Sequence, residues 1–256
     1  MKFILNKKYN PIGNTLLEII TSFNTQGIDF VIGKRNSIKL FEIQNQIINI
    51  KSFKNPNIFN KIVYHYIRKS KANRSFEYAT QLLAMGIGTP EPIAFLEKYD
   101  WLGLNKSYYA SEHIEDAFEL RAVLKDESFE KRELILRKFV QFTFLMHQNG
   151  IEFLDHSPGN TLIRKNENTD FSFYLVDLNR MKFCGSLNFQ TRMKNLSKIT
   201  SNKAVISIMS NEYAKLSGEP EATIFETMWK FTSNFQFRFQ RMIKYDAIAE
   251  IFLEQI

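Results

Sequence analysis

The chain has 256 residues, 44% of them hydrophobic and 24% charged, and is long enough to bury a sizeable core. This ordinary composition, with 10 glycines and 6 prolines, excludes collagen-like, low-complexity and disordered chains. The net charge of +7 comes from residues 1–110, which hold 15 Lys and Arg against 7 Asp and Glu, whereas the remainder holds 19 against 20.

The order of predicted elements changes along the chain from strand-rich to helical. Residues 1–114 predict helices and antiparallel strands: helix 14–23; strands 28–32, 37–43 and 47–53; helices 58–69 and 73–85; strands 93–97 and 106–114. Residues 115–119 form a polar linker. Residues 120–256 predict mostly helices around one hairpin: helices 120–124 and 130–148, a strand at 161–164, helices 187–201 and 204–216, and one long helix or two over 223–255. This order predicts an α+β fold of two lobes, 1–114 and 115–256.

The loop IEFLDHSPGN, residues 151–160, is the most informative stretch. It places Asp155 five residues before Asn160, between a helix and a strand. A kinase catalytic loop spaces its base and its magnesium-binding Asn in the same way. The spacing alone is common in turns, and Phe153, Leu154 and Ser157 replace the His, Arg and Lys of the usual pattern.

Three further residues complete a set suited to phosphoryl transfer. Lys51 lies on the third strand, on the opposite face from Ile48 and Ile50, and is a candidate to bind the nucleotide phosphates. Glu77 is the only acidic residue between Lys51 and Glu91, which makes it the helix-borne candidate to orient that lysine. Taken alone, each is also interpretable as a surface charge, and Lys54 is an alternative to Lys51.

The third residue of this set is Asp177, which follows the apolar run FSFYLV and is a candidate magnesium ligand, like Asn160. It is alternatively a turn residue that ends its strand. A phosphate-covering loop is predicted at GKRNS, where Gly33 is followed by Lys34 and Arg35.

The segments IINIK, MHQNGIEFLDHSPGNTLI and YLVDLNRMKF, with the helix of Glu77, together resemble the lipopolysaccharide kinase family. These bacterial Kdo and heptose kinases have a protein-kinase-like fold. The resemblance implies ATP and Mg²⁺ as cofactors, with Asp155 as catalytic base and Asn160 and Asp177 as metal ligands. It further implies that Lys51 binds the phosphates and that Glu77 orients Lys51. It also implies that Lys51, Gly33, Glu112 and Ile114 bind the nucleotide. The implied acceptor is a glycolipid of the lipid A–Kdo type.

Other interpretations remain open at this point. A kinase of the same fold could act on a protein or a small molecule, and the altered loop residues also suit a pseudokinase. The basic first part suits an anionic membrane or is a solvated face, and no nucleic-acid-binding motif accompanies it. One cysteine, no signal-peptide core and no apolar run of about 18 residues predict a cytoplasmic protein. The resemblance implies a peripheral position on the inner face of the cytoplasmic membrane.

Overall fold

The computed structural model describes residues 1–33, 36–57, 61, 64, 68–167 and 170–253, and its side-chain description omits residue 32 and residues 244–253. The predicted helix at 58–69 therefore lies largely outside the described residues. Two compact units are present. The first comprises Met1–Ala117 and Tyr174–Arg180, and the second comprises Phe118–Phe173 and Met181–Ile256. The segment with Asp177 thus groups with the first unit, whereas the sequence placed it in the second lobe.

A six-stranded antiparallel sheet, with strand order β1-β5-β6-β4-β3-β2, forms the first unit. Its strands are β1 (Lys2–Leu5), β2 (Ile28–Ile32), β3 (Asn36–Ile43), β4 (Gln46–Phe53), β5 (Pro92–Asp100) and β6 (Gly103–Glu112). The β3–β4 turn places Gln44 and Asn45 at φ values of 50° and 62°, as a tight two-residue hairpin turn requires. The strands predicted at 28–32, 37–43 and 47–53 correspond to β2, β3 and β4.

Alternation along β4 determines which side chains are buried. Ile48 and Ile50 are fully buried against helix α1 (Gly13–Thr21), where each contributes roughly 2 to 3 kcal/mol of hydrophobic stabilisation. The odd-numbered residues lie on the other face, where Phe53 packs with Ala72 of helix α2 (Lys71–Ala84). Lys51 therefore lies on the α2 side of the sheet, as the alternation predicted.

The second unit is mainly helical. Its helices are α3 (Leu120–Lys125), α4 (Arg132–Gln148), α5 (Phe189–Asn195), α6 (Lys203–Ser217) and α7 (Glu221–Leu253). Its core joins Phe139 and Val140 of α4 to Met209 and Tyr213 of α6 and Ile224 of α7. None of the helices in the described part of the chain is long and apolar enough to cross a membrane.

Short strands surround the loop at 151–160. They are β7 (Ala117–Glu119), β8 (Ile151–Phe153), β9 (Thr161–Lys165), β10 (Phe171–Leu175) and β11 (Met181–Phe183). Strand β8 pairs with β11, and β9 lies between β7 and β10. The helix predicted over 187–201 is shorter than expected and ends at Asn195. Beyond it, the amides of Ser197 and Ile199 donate to carbonyls three residues back, which is the pattern of tight turns.

Candidate active site

Lys51 and Asp177 are brought together within the first unit, although 126 residues separate them in the chain. The Lys51 Nζ donates to Asp177 Oδ1 at 2.6 Å. The lysine side chain is only 13% exposed, and its Nζ also lies 5.3 Å from the centre of the Phe53 ring. A candidate phosphate-binding cation thus lies beside a candidate metal-binding carboxylate.

Asp177 is held in an uncommon backbone conformation. Its φ is 58°, in the left-handed region that non-glycine residues adopt at a cost of roughly 1 to 2 kcal/mol. The strand before it is anchored to the first unit, since the Leu175 amide donates to Gly88 and its carbonyl accepts from Thr89 Oγ1. The side-chain Nδ2 of Asn179 also donates to Asp177 Oδ1, at 2.6 Å. Both hydrogen bonds that the structure describes for the Asp177 carboxylate are accepted by Oδ1. The other oxygen, Oδ2, can therefore bind a ligand.

Glu77 pairs with a different lysine from the one predicted. Both of its carboxylate oxygens accept from Lys69 Nζ, at 2.6 and 2.8 Å. Lys69 lies just ahead of the α2 N-cap Ser70 and reaches along the helix to Glu77. Within the described part of the chain, Lys51 makes its ion pair with Asp177 and none with Glu77. The orienting role of Glu77 therefore stays a prediction.

The predicted nucleotide-binding residues other than Lys51 lie at two places in the first unit. Gly33 follows β2, and its amide donates to the Asn36 carbonyl at 3.1 Å. Its predicted neighbours Lys34 and Arg35 lie outside the described residues. Glu112 ends β6, where its carboxylate accepts from the Tyr9 hydroxyl and its amide donates to the Glu91 carbonyl. Ile114 follows two residues later and is partly buried. These assignments stay predictions.

Asp155 and Asn160 are brought together within the second unit. The Asn160 Nδ2 donates to the backbone carbonyl of Asp155 at 2.8 Å, across a short 3₁₀ turn at Pro158–Asn160. Because the amide nitrogen is used in this bond, the Asn160 Oδ1 remains as an oxygen donor for a cation. Asp155 itself has a partly exposed side chain, at 26%.

A buried polar chain fixes the backbone immediately before Asp155. Asn195 Nδ2 donates to the Phe153 carbonyl at 2.7 Å, and Asn195 Oδ1 lies 3.1 Å from His147 Nε2. The other ring nitrogen of His147 lies 3.0 Å from the Tyr213 hydroxyl. Burial lowers the pKa of His147 to about 4, so the ring is neutral near neutral pH and carries one N–H. Helices α4, α5 and α6 thus all hold this loop in place.

His156, directly after Asp155, faces the core instead of the solvent. It is 1% exposed and lies between the rings of Phe139 and Phe153, with centroid distances of 5.5 and 5.8 Å. Neither ring nitrogen has a hydrogen-bond partner among the described atoms. Burial lowers the pKa of His156 to about 3, which leaves the loop at 151–160 without a positive charge of its own near neutral pH.

Lys198 is the residue at this loop that the sequence analysis missed. Its Nζ donates to the Leu154 carbonyl at 2.6 Å and lies 4.0 Å from Asp155 Oδ1. It comes from the turn after α5, and no pattern in the sequence connects it with the loop at 151–160. Only the basic character of the segment RMKNLSKI pointed to positive charge in this part of the chain.

The donor types at Asn160 and Asp177 fit Mg²⁺. This ion prefers oxygen ligands and is usually bound by one or two protein groups together with substrate phosphates and water. A free carboxylate oxygen at Asp177 and an oriented amide oxygen at Asn160 are groups of this kind. Among the residues that the structure describes, no group of three or more His, Cys, Asp or Glu side chains could hold a metal ion by itself.

One family model matches the greater part of the chain. The family model described as "Lipopolysaccharide kinase (Kdo/WaaP) family" matches residues 54–218, more than half of the chain. The match includes Glu77, Asp155, Asn160 and Asp177, and it begins after Lys51. No curated protein sequence matches the chain.

Two solved structures extend the comparison to the fold. The structure of WaaP in complex with acyl carrier protein matches with a TM-score of 0.66 and 14% identity, over 94% of this chain and 99% of that chain. The MAP kinase LmaMPK10 from Leishmania major matches with a TM-score of 0.46 and 14% identity, over 84% of this chain and 64% of that chain. The likeness to WaaP confirms the predicted kinase-like α+β fold.

Proposed function

This chain belongs to the lipopolysaccharide kinase (Kdo/WaaP) family and is a kinase, and we propose that its acceptor is a hydroxyl group of Kdo in the lipopolysaccharide inner core. The observation that carries the proposal is the loop at 151–160, which lies inside the family match and holds a partly exposed carboxylate beside an oriented amide. Phe153, Leu154 and Ser157 depart from the protein-kinase loop pattern, which favours a sugar over a protein as acceptor.

Each candidate residue has a defined role in this proposal. Asp155 accepts the proton of the attacking hydroxyl, which a general base must do within hydrogen-bond distance. Lys51 binds the α- and β-phosphates of ATP, and Glu77 orients Lys51 when the nucleotide is bound. Asn160 and Asp177 hold Mg²⁺, which neutralises charge on the phosphates when it is bound.

Nucleotide binding in this proposal also involves Gly33, Glu112 and Ile114. Gly33 directly follows β2, and in this proposal its backbone covers the phosphates. The backbone of Glu112 and Ile114, at the end of β6, binds the base.

A glycolipid acceptor places the reaction at a membrane surface, and helix α7 has features that support peripheral attachment there. Phe237, Phe239, Met242 and Ile243 near its end are 62%, 44%, 52% and 51% exposed. Between Glu226 and Asp246 the helix sequence contains four basic residues and no acidic one. Exposed aromatic and basic side chains on one helix suit the interface of an anionic lipid membrane.

Product analysis tests the acceptor. The protein is incubated with ATP, Mg²⁺ and three acceptors: a lipid A precursor, the same precursor carrying Kdo, and one carrying Kdo and heptose. Mass spectrometry should find an added phosphate only when Kdo is present, with the phosphate on the Kdo residue. Phosphorylation of the Kdo-free precursor would contradict the proposed acceptor, and nucleotide binding without transfer to any acceptor would favour a pseudokinase.

Variants test the base. Asp155→Asn keeps the shape of the side chain and should lower kcat by about 10²- to 10⁴-fold, the usual contribution of a general base. Asp126→Asn is the matched control, because Asp126 is an exposed carboxylate of the same unit whose described side-chain hydrogen bonds stay within its own turn, to Ser128. Wild-type turnover by Asp155→Asn would exclude this carboxylate as the base.

A further inference from the structure

The catalytic loop contains no cation of its own. The sequence IEFLDHSPGN has no Lys or Arg, and its His156 is buried with a pKa of about 3. Ser157 occupies the position at which a D-x-K-P-x-N loop carries lysine. Transfer of a phosphoryl group spreads negative charge over three equatorial oxygens, and fixed positive groups aimed at them stabilise the transition state. A cation for this purpose must therefore come from another part of the chain.

Lys198 brings such a cation to the loop from the turn after α5. Its Nζ donates one hydrogen bond to the Leu154 carbonyl at 2.6 Å and lies 4.0 Å from Asp155 Oδ1. The side chain is 36% exposed, and its Nζ also lies 6.0 Å from the centre of the Phe235 ring. An ammonium group has three N–H donors, so two remain after the bond to Leu154. Two donors beside the base are thus held at a defined position.

We propose that Lys198 is a catalytic residue that binds the γ-phosphoryl group during transfer, an inference that rests on the proposed role of Asp155. The acceptor hydroxyl lies about 3 Å from the Asp155 carboxylate, and the phosphorus lies about 3 Å beyond that hydroxyl oxygen. The γ-phosphate oxygens then come within reach of an ammonium 4.0 Å from the same carboxylate.

The bond changes leave the charge of Lys198 unaltered. The hydroxyl oxygen forms a bond to the γ-phosphorus while its proton passes to Asp155. The bond from the γ-phosphorus to the β–γ bridging oxygen breaks, and its electron pair leaves with ADP. Lys198 stays protonated throughout and hydrogen-bonds to the γ-phosphate oxygens, as the lysine of the usual loop pattern would do from position 157.

A purely structural role for Lys198, as a support for the Leu154 carbonyl, makes a different prediction for nucleotide binding. A residue that contacts the γ-phosphate distinguishes ATP from ADP, whereas a support for the loop does not. The experiment therefore measures the Kd of a non-hydrolysable ATP analogue and of ADP, both with Mg²⁺, by calorimetry on wild type and Lys198→Met. It also measures kcat with the Kdo-bearing acceptor, and the thermal unfolding of each protein.

For Lys198→Met we expect kcat to fall by about 10²-fold, as when one transition-state donor is removed. The ATP-analogue affinity should fall by about 10-fold with the ADP affinity unchanged. Lys198→Arg, which keeps the charge, should recover part of kcat. Lys194→Met is the matched control, because Lys194 is an exposed lysine on the preceding helix, and it should behave as wild type.

Two results would overturn the proposal. One is equal loss of ATP-analogue and ADP affinity, or no loss of either. The other is wild-type kcat in Lys198→Met. The nucleotide affinities need no acceptor, so they decide the role of Lys198 even if the wild-type protein phosphorylates nothing in the Kdo panel. Failure of that panel would count against the proposed function alone.

Discussion

Replacing His156 by leucine should remove a loss of stability at acidic pH that follows from the burial of this side chain. His156 is 1% exposed, and burial lowers its pKa from 6.5 to about 3. The unfolded chain binds a proton at this ring near pH 6.5 and the folded chain only near pH 3. The stabilisation from the neutral ring is therefore complete above pH 6.5 and is lost as the pH falls toward 3.

The size of this effect follows from the two pKa values. Between pH 7 and pH 4.5, proton binding to the unfolded state alone costs the wild-type fold about 2.5 kcal/mol at this one residue. This is a large part of the ~5 to 15 kcal/mol by which domains are stable. Leucine has a similar volume to histidine and no polar atom to leave unpaired, so His156→Leu should match or exceed wild-type stability at pH 7.

Urea unfolding of both proteins at several values between pH 7 and pH 4.5 measures the difference. Carboxylates and His147 titrate in wild type and variant alike, so their contributions cancel when the two free energies of unfolding are subtracted. We expect the advantage of His156→Leu to grow by about 2.5 kcal/mol over this range. A difference that stays constant with pH would show that His156 takes up its proton in the folded state and would refute the reasoning.

Two further predictions concern the support of the same loop. Gly150→Ala should cost at least about 3 kcal/mol in thermal unfolding, because Gly150 has a φ of 68° and an added Cβ would collide with the Cys184 carbonyl. Gly218→Ala, at a φ of 75° but in open space, should cost only about 1 kcal/mol, and equal losses would contradict the steric argument. Asn195→Leu should cost about 2 to 3 kcal/mol in urea, because the Phe153 carbonyl keeps only the His156 amide as a donor and the buried His147 Nε2 loses its hydrogen bond to Asn195 Oδ1. An unchanged midpoint would show that these hydrogen bonds are not needed.

Local patterns were sufficient wherever the relevant residues are neighbours in the chain or share a strand. The spacing of Asp155 and Asn160 placed both in one loop, and the structure joins them by a hydrogen bond at 2.8 Å. Alternation along β4 put Lys51 on the face opposite Ile48, because successive side chains of a strand point to opposite sides. The prediction of a helix over 187–201 was wrong for the residues after Asn195, which form tight turns. No Gly or Pro in that segment indicated the end of the helix.

Partner choice between distant residues could not be predicted in the same way. The sequence predicted Glu77 as a helix-borne partner of Lys51, because Glu77 is the only acidic residue between Lys51 and Glu91. In the structure Glu77 forms its ion pair with Lys69, and Lys51 forms one with Asp177, which is distant in the sequence. A sequence contains many acidic and basic residues that could form an ion pair with one another. Which pair forms depends on the distances between their charged atoms in the folded chain.

By itself the sequence determined the α+β order of elements, the strand face of Lys51 and the loop with Asp155 and Asn160, because these follow from periodicity and short spacings. Only the tertiary structure decided that Asp177 lies against Lys51, that three helices hold the Phe153 carbonyl and its neighbours, and that Lys198 supplies a cation beside Asp155. These contacts join residues tens of positions apart. No local pattern encodes them, since they depend on how whole elements pack.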